Sequence, residues 1–429
     1  MNLHPISKEI GLYRARKSLW RSTSDLREIQ QKKLRHLIEH AYTTVPFYHK
    51  KFDEAGIKPD DIKNYSDLEK IPILSKTELR TSGDSILSRK SESDTYILKQ
   101  TSGSTGFPLR IYFTKKDNEI AGCSYERVRR ENGYNPLKDV FLEITGSSFL
   151  PSDRTWIHKL TLNRWYELNI LQPVSTQVSA IQSVNPDVLW GYPSAIQNIC
   201  NNLKMQGIRN IHPKLVFTAS EILSDQTRRL IENFFDTTVF DVYGSHETGC
   251  IAWECSEHNG YHTCMDTNAV EFLDKNDQRI ESEESGRVIV TNLHSYAMPI
   301  IRYELGDSAT PTGSTCSCGR GGYMIKSING RNDDFLKLPG DRIISPRTIT
   351  RLMHKYGEYV SQFKLIQENE GTFTFFFIPA PGVDQISFIK ELDNDLKTLL
   401  GENAIISIIP VDHIQKEGSP KQRSVISKI

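Results

Sequence analysis

The chain has 429 residues, of which 38% are hydrophobic and 25% charged, and its 53 Lys and Arg balance 53 Asp and Glu. That length exceeds the needs of one core and predicts two or more domains. The balanced charge gives no global sign of a nucleic-acid or anionic-membrane partner. No stretch approaches the roughly 18 apolar residues of a membrane span, and the N-terminus lacks a signal-peptide core, so a cytoplasmic protein is expected.

In chain order, residues 5–22 mix basic and aromatic positions. Ser24 can cap a helix whose first turn carries Asp25 and whose Leu34, Leu37, Ile38 and Ala41 recur at helical spacing, with Lys32, Lys33 and Arg35 on a solvated opposite face. That helix should end before Pro46, where Pro46-Phe47-Tyr48 closes the element. Residues 71–76 read as a buried bend feeding another helix. Thr114 and Asp117 are spaced for a capping box that opens a helix through about Arg130. Apolar runs at 140–145, 215–218 and 238–242 alternate with helical stretches, which predicts an α/β fold with its ligand beyond the carboxyl ends of the strands. Beyond Gly330 the order becomes helix, two strands, helix and strand, a small α+β unit of ferredoxin-like pattern. The expected domains are therefore 1–330, a large multi-sheet N-terminal domain, and 331–429, a small mobile C-terminal lid.

Between strand-like runs at 96–98 and 109–113 lies Thr101-Ser102-Gly103-Ser104-Thr105-Gly106-Phe107-Pro108. Hydroxyls and glycines with free backbone N–H groups suit a triphosphate; the alternative from composition alone is a tight exposed hairpin. It is not a Gly-x4-Gly-Lys-Ser/Thr loop, because no lysine follows its last glycine.

Three later stretches are Tyr243-Gly244-Ser245-His246-Glu247, Arg302-Tyr303-Glu304-Leu305-Gly306-Asp307 and Gly330-Arg331-Asn332-Asp333-Asp334. With the glycine-rich loop, these four in order resemble the adenylate-forming superfamily of acyl-CoA synthetases, nearest its phenylacetate–CoA-ligase-like and capsule-biosynthesis branch. The resemblance covers nearly the whole chain. It implies ATP and Mg2+, activation of a small carboxylic acid as acyl-AMP, and coenzyme A as the acceptor. An amine, an amino sugar or a carrier protein is the alternative acceptor, transfer of AMP is another outcome, and a non-catalytic nucleotide-binding protein is the reading from a different class. Nucleic acid and a membrane are not expected partners; a homodimer is compatible with the sequence.

The resemblance assigns Thr101 to Gly106 to the β- and γ-phosphates, Ser220 and Glu221 to the adenine edge, and Asp307 to the ribose hydroxyls. Arg331 would reach ribose or phosphate, Asp333 would be the hinge, and Lys421 the catalytic lysine, with Lys416 and Lys428 as rivals. A proline precedes Lys421 where the family pattern differs. Tyr243 should flank adenine. Glu247, as a hard oxygen ligand, should hold Mg2+ unless it merely caps a helix. His246 stands where the family commonly has threonine, so it is read with Trp190 and Tyr192 as part of the acid pocket. Arg302 can serve phosphate or hold Asp307.

Seven cysteines are an odd count, and five lie between positions 250 and 318. Cys255-x6-His262 and Cys316-x-Cys318 supply three thiolates and an imidazole, a closed tetrahedral set for structural Zn2+. Cys250 and Cys264 are spares, with Cys264 the substitute for His262. Buried cysteines without metal are the alternative.

Overall fold

Helix Thr23–Thr44 illustrates how local chemistry sets the elements. Its cap is Ser22, whose hydroxyl accepts the Asp25 N–H, so the cap lies two residues before the Ser24 expected from sequence. Leu34, Leu37, Ile38 and Ala41 are fully buried along one face, as the spacing predicts. Lys33 departs from the solvated face: its ammonium donates to the Asp266 carbonyl at 2.6 Å. Pro46 does not close the element but opens the next helix, Pro46–Glu54, at the position where a missing N–H costs nothing.

The computed structural model describes residues 4–89, 96–100, 109–145, 164–223, 225–330, 336–340, 342–344, 346–356, 359–379, 385–412, 414 and 425–429. The chain divides into two compact units. One comprises 1–100, 110–135 and 240–331, and the other 101–109, 136–239 and 332–429.

In the first unit the strands run Asn268–Leu273, Gly286–Asn292, Tyr303–Thr312, Met324–Gly330, Tyr261–Thr263, Gly249–Glu254 and Thr238–Ser245 across one sheet, each antiparallel to its neighbour. Strand Gly249–Glu254 is buried at every position because helix Lys115–Glu131 covers it. That helix opens with the expected capping box: Thr114 Oγ1 accepts the Asp117 N–H and Asp117 accepts the Thr114 N–H, both at 3.1 Å. The same Asp117 carboxylate also takes the N–H groups of Tyr296 and Ala297. Strands Ile97–Gln100 and Arg110–Phe113 pair antiparallel, with Ile97 opposite Phe113 and Gln100 opposite Arg110. The glycine-rich residues 101–108 between them lie outside the described residues.

In the second unit, strands Leu215–Ala219, Val188–Gly191, Phe141–Thr145 and Trp165–Asn169 are parallel neighbours in that order, the α/β pattern read from the alternation of strand and helix. Helices Val174–Val184, Pro193–Met205 and Asp225–Phe235 contribute Ile181, Ile196, Ile199, Leu203, Ile231 and Phe235 to their core. A separate four-stranded sheet has the order Ile405–Pro410, Thr372–Pro379, Val360–Asn369, Val425–Ser427. Helices Pro346–Met353 and Gln385–Leu400 pack on Phe363, Phe373, Phe375 and Phe377 to give it a core of its own. The sequence pattern contains all of this small sheet except its short last strand and the hairpin Leu336–Leu338 with Arg342–Ile344. Among the described residues, no helix is long and apolar enough to cross a membrane.

Candidate active site and metal centre

Strand Thr238–Ser245 ends in a turn at residues 246–248, and Gly249–Glu254 returns antiparallel to it. The turn is tight. A side chain at Gly244 would collide with the Tyr125 hydroxyl and with the Gly249 carbonyl, and Gly249 itself adopts φ +72°. Glu247 therefore stands in a β-hairpin turn, which removes the helix-cap reading. It is buried, its carbonyl accepts the Asn292 amide at 2.9 Å, and no described residue donates a hydrogen bond to its carboxylate. His246 beside it is exposed.

Tyr243 precedes this turn and its hydroxyl donates to Asp307 Oδ2 at 3.0 Å. Asp307 is half-buried in strand Tyr303–Thr312. A carboxylate that already accepts one hydrogen bond keeps lone pairs for two neighbouring hydroxyls. Arg302 takes neither role weighed for it. Its guanidinium is buried against Glu271 at 3.2 Å and donates to the carbonyls of Ile71 and Glu69 at 2.6 and 3.1 Å. Glu271 also receives Arg279 at 3.1 Å, so this is a structural ion-pair cluster.

In the second unit, Glu221 accepts the Ser194 N–H at 3.1 Å, at the N-terminus of helix Pro193–Met205. A carboxylate there also meets the positive end of the helix dipole. Ser220 beside it is exposed and adopts φ +74°, a strained backbone for a non-glycine residue at the end of strand Leu215–Ala219. Trp190 is half-buried, its ring 5.8 Å from that of Phe217, and half-buried Tyr192 precedes the first residue of the helix. The assignments to Thr101, Ser102, Gly103, Ser104, Thr105, Gly106, Arg331, Asp333, Lys416 and Lys421 fall outside the described residues. Lys428 is described, and it forms an exposed ion pair with Glu368 at 2.6 Å.

The cysteine set converges across 63 positions of sequence, from Cys255 to Cys318. The ligand atoms of Cys255, His262, Cys316 and Cys318 all lie within 4.8 Å of one another. Cys255 Sγ is 3.7 Å from Cys316 Sγ, and Cys318 Sγ is 3.3 Å from His262 Nε2. Zinc–sulfur bonds of about 2.3 Å at tetrahedral angles place two sulfurs about 3.8 Å apart, so the donor set fits a tetrahedral ion. Burial pushes His262 down to about 4, which keeps the imidazole neutral as a ligand requires. Burial likewise pushes Cys255 up to about 12. Cys318 is held below the usual thiol range: its burial acts upward, but the Arg320 N–H favours the thiolate. The spares do not join this set. Cys250 and Cys264 face each other at 3.7 Å, fully buried.

Beside the spares stands a cluster with no signal in the sequence. Arg127 and Asp266, 139 positions apart, form a buried bidentate pair at 2.6 and 2.9 Å. The fully buried His294 lies in their field and that of Lys33, and burial above all pushes it down to about 3. Only the fold brings these groups together.

No family model matches the chain. It is 26% identical over 363 residues to a phenylacetate–coenzyme A ligase of Thermus thermophilus, covering 81% of this chain and 79% of that protein. It is 25% identical over 423 residues to a phenylacetate–coenzyme A ligase of Aromatoleum evansii, covering 95% of each. Among solved structures, a 2-hydroxyisobutyryl-CoA ligase in its postadenylation state shares the fold, with TM-score 0.65 and 20% identity over 95% of this chain and 90% of that one.

Proposed function

Because this chain belongs to the adenylate-forming superfamily, in its phenylacetate–CoA-ligase-like branch, we propose that it activates an aryl or small organic acid with ATP and passes the acyl group to coenzyme A. The observation that carries the reading is the half-buried Asp307 carboxylate held by the Tyr243 hydroxyl beside the Glu247 turn.

In the first half-reaction an oxygen of the acid attacks the ATP α-phosphorus, the bond to pyrophosphate breaks, and acyl-AMP forms. Asp307 accepts the ribose hydroxyls and Tyr243 fixes its orientation. Ser220 and Glu221 line the adenine edge, with Glu221 anchored by the helix at Ser194. Residues 101–106 cradle the β- and γ-phosphates, and Glu247 holds Mg2+, which as a hard cation takes oxygen ligands and offsets phosphate charge. Trp190, Tyr192 and His246 contact the acid. Arg331 reaches the ribose or phosphate. Lys421, on the small C-terminal domain of residues 331–429, stabilises charge at the α-phosphate, and that domain turns about Asp333 before the second step. There the coenzyme A sulfur attacks the acyl carbon and AMP leaves.

Cys255, His262, Cys316 and Cys318 hold a structural Zn2+. With all four positions supplied by protein donors, these residues would tie the loop at residue 255 to the loop at 316–318 through the ion and would leave no position for substrate.

ATP–pyrophosphate exchange over a panel of carboxylic acids tests the first step, and CoA-dependent AMP release tests the second. Exchange with one acid, together with AMP release that requires CoA, is the expected result. Release without CoA transfers the acceptor role to an amine, an amino sugar or a carrier protein. Absence of exchange with every acid in a folded, zinc-loaded sample would sink the acid-activating reading.

A further inference from the structure

We propose that Asn292 is a positioning residue that sets the Glu247 carboxylate for the divalent cation; this rests on the cation-binding reading of Glu247. Asn292 closes strand Gly286–Asn292 and is fully buried. Its backbone N–H donates to the Ile300 carbonyl at 2.8 Å. Its side-chain Nδ2 donates to the Glu247 carbonyl at 2.9 Å, and its Oδ1 accepts the His294 N–H at 3.1 Å. One amide thus ties the Glu247 turn to the segment that returns toward strand Tyr303–Thr312, which carries Asp307.

The rest of the turn is held from its other sides. The Ser245 and Thr248 hydroxyls lie 2.9 Å apart across it, and Ser124 Oγ accepts the Cys250 N–H at 3.3 Å just beyond it. Helix Lys115–Glu131 packs closely at Gly249, where an added Cβ would lie a tight 3.3 Å from Ser124 Oγ and in ordinary contact, 3.6 Å, with Ala121. Among the described residues, the Asn292 bond is the one side-chain hydrogen bond that reaches Glu247 itself. It fixes the peptide plane from which the carboxylate projects, so it limits where the two oxygens can lie. Without it, the buried carbonyl must find another donor, and the turn has to move to do so. Outer partners of metal-binding carboxylates are worth about 10–100-fold in cation affinity, and a backbone clamp belongs at the lower end.

The test is Mn2+ affinity, read by electron paramagnetic resonance, of the protein saturated with α,β-methylene-ATP. The variants are Glu247→Gln, Asn292→Ala, Asn292→Leu and, as a control for general loosening, Phe375→Leu in the other unit's small-sheet core. Glu247→Gln should weaken Mn2+ binding about a hundredfold and both Asn292 variants about tenfold, with cation-free nucleotide affinity changed less than about twofold. Phe375→Leu, despite a lower Tm, should leave Mn2+ affinity unchanged. If Glu247→Gln weakens Mn2+ binding while both Asn292 variants retain it, the positioning role is lost and the Glu247 reading stands. If Glu247→Gln has no effect, both fall. A shift in Phe375→Leu as large as in the Asn292 variants also overturns the positioning role.

Discussion

The Tyr243 hydroxyl donates to Asp307 Oδ2 at 3.0 Å, joining residues 64 positions apart on two strands of the antiparallel sheet. The tyrosine expected from sequence to flank adenine is thus seen to hold the Asp307 carboxylate through its hydroxyl. A hydrogen bond to a charged group contributes about 1.5–3 kcal/mol, and partial exposure of Asp307 puts this one at the lower end. Tyr243→Phe should therefore raise KM for ATP about tenfold in pyrophosphate exchange, with the ring's packing retained. Asp307→Ala should cost more, because both ribose hydroxyls lose their acceptor. Equal, small losses in the two variants would separate Asp307 from nucleotide binding.

Arg302 tests the opposite expectation. It adopts φ +52° and lies buried between Glu271 and the carbonyls of residues 69 and 71. Removing one partner of a buried ion pair costs about 3–5 kcal/mol when the other charge is left alone; here Glu271 keeps Arg279 at 3.1 Å, which puts the loss at the lower end. Arg302→Met should lower the midpoint of urea unfolding accordingly, while KM for ATP in the folded fraction stays within about twofold. A large rise in KM without loss of stability would return Arg302 to the phosphates.

His294 gives a prediction in pH. Its folded-state value, about 3, lies below its ordinary one, so the unfolded chain binds the proton first as pH falls. The stabilisation is complete above about pH 6.5 and declines by up to about 1.4 kcal/mol per pH unit as pH drops toward the folded value. The Asp266 carboxyl adds to this lower down. Burial would raise it, but Arg127 holds it at about 2, so its contribution is lost below about pH 4. Unfolding free energy measured from pH 7 to 4.5 should fall less steeply in His294→Gln than in the parent. Parallel slopes would show that His294 does not titrate on unfolding.

For the metal centre, purified protein should contain about one zinc per chain, by elemental analysis. Cys255→Ser or Cys318→Ser should lose it and lower Tm, since the ion's binding free energy is available only to the folded state. Zinc-free protein of unchanged Tm would leave three buried donors and the half-buried Cys318 without a metal role.

Lys421→Ala should slow adenylation far more than capture of supplied acyl-AMP by coenzyme A, because the lysine acts on charge developing at the α-phosphate. Equal losses in the two half-reactions would remove that assignment.

What the sequence by itself determined was local and periodic. The Thr114–Asp117 capping box, the buried face of Leu34, Leu37, Ile38 and Ala41, the strands at 141–145 and 215–219, and three of the four strands of the small C-terminal sheet are legible because their signals span a few turns of one element. The Cys255, His262, Cys316 and Cys318 set was legible for another reason: few residue types bind zinc, so their identities stand out at any spacing. Tertiary structure alone decided what polar groups distant in sequence do. Arg302 belongs to Glu271 and not to a phosphate, Lys33 turns inward to Asp266, Tyr243 holds Asp307, and Asn292 clamps the Glu247 turn. A buried charge or amide must find a partner wherever the fold supplies one, and strand pairing across the antiparallel sheet, not the order of residues along the chain, chooses which partner that is.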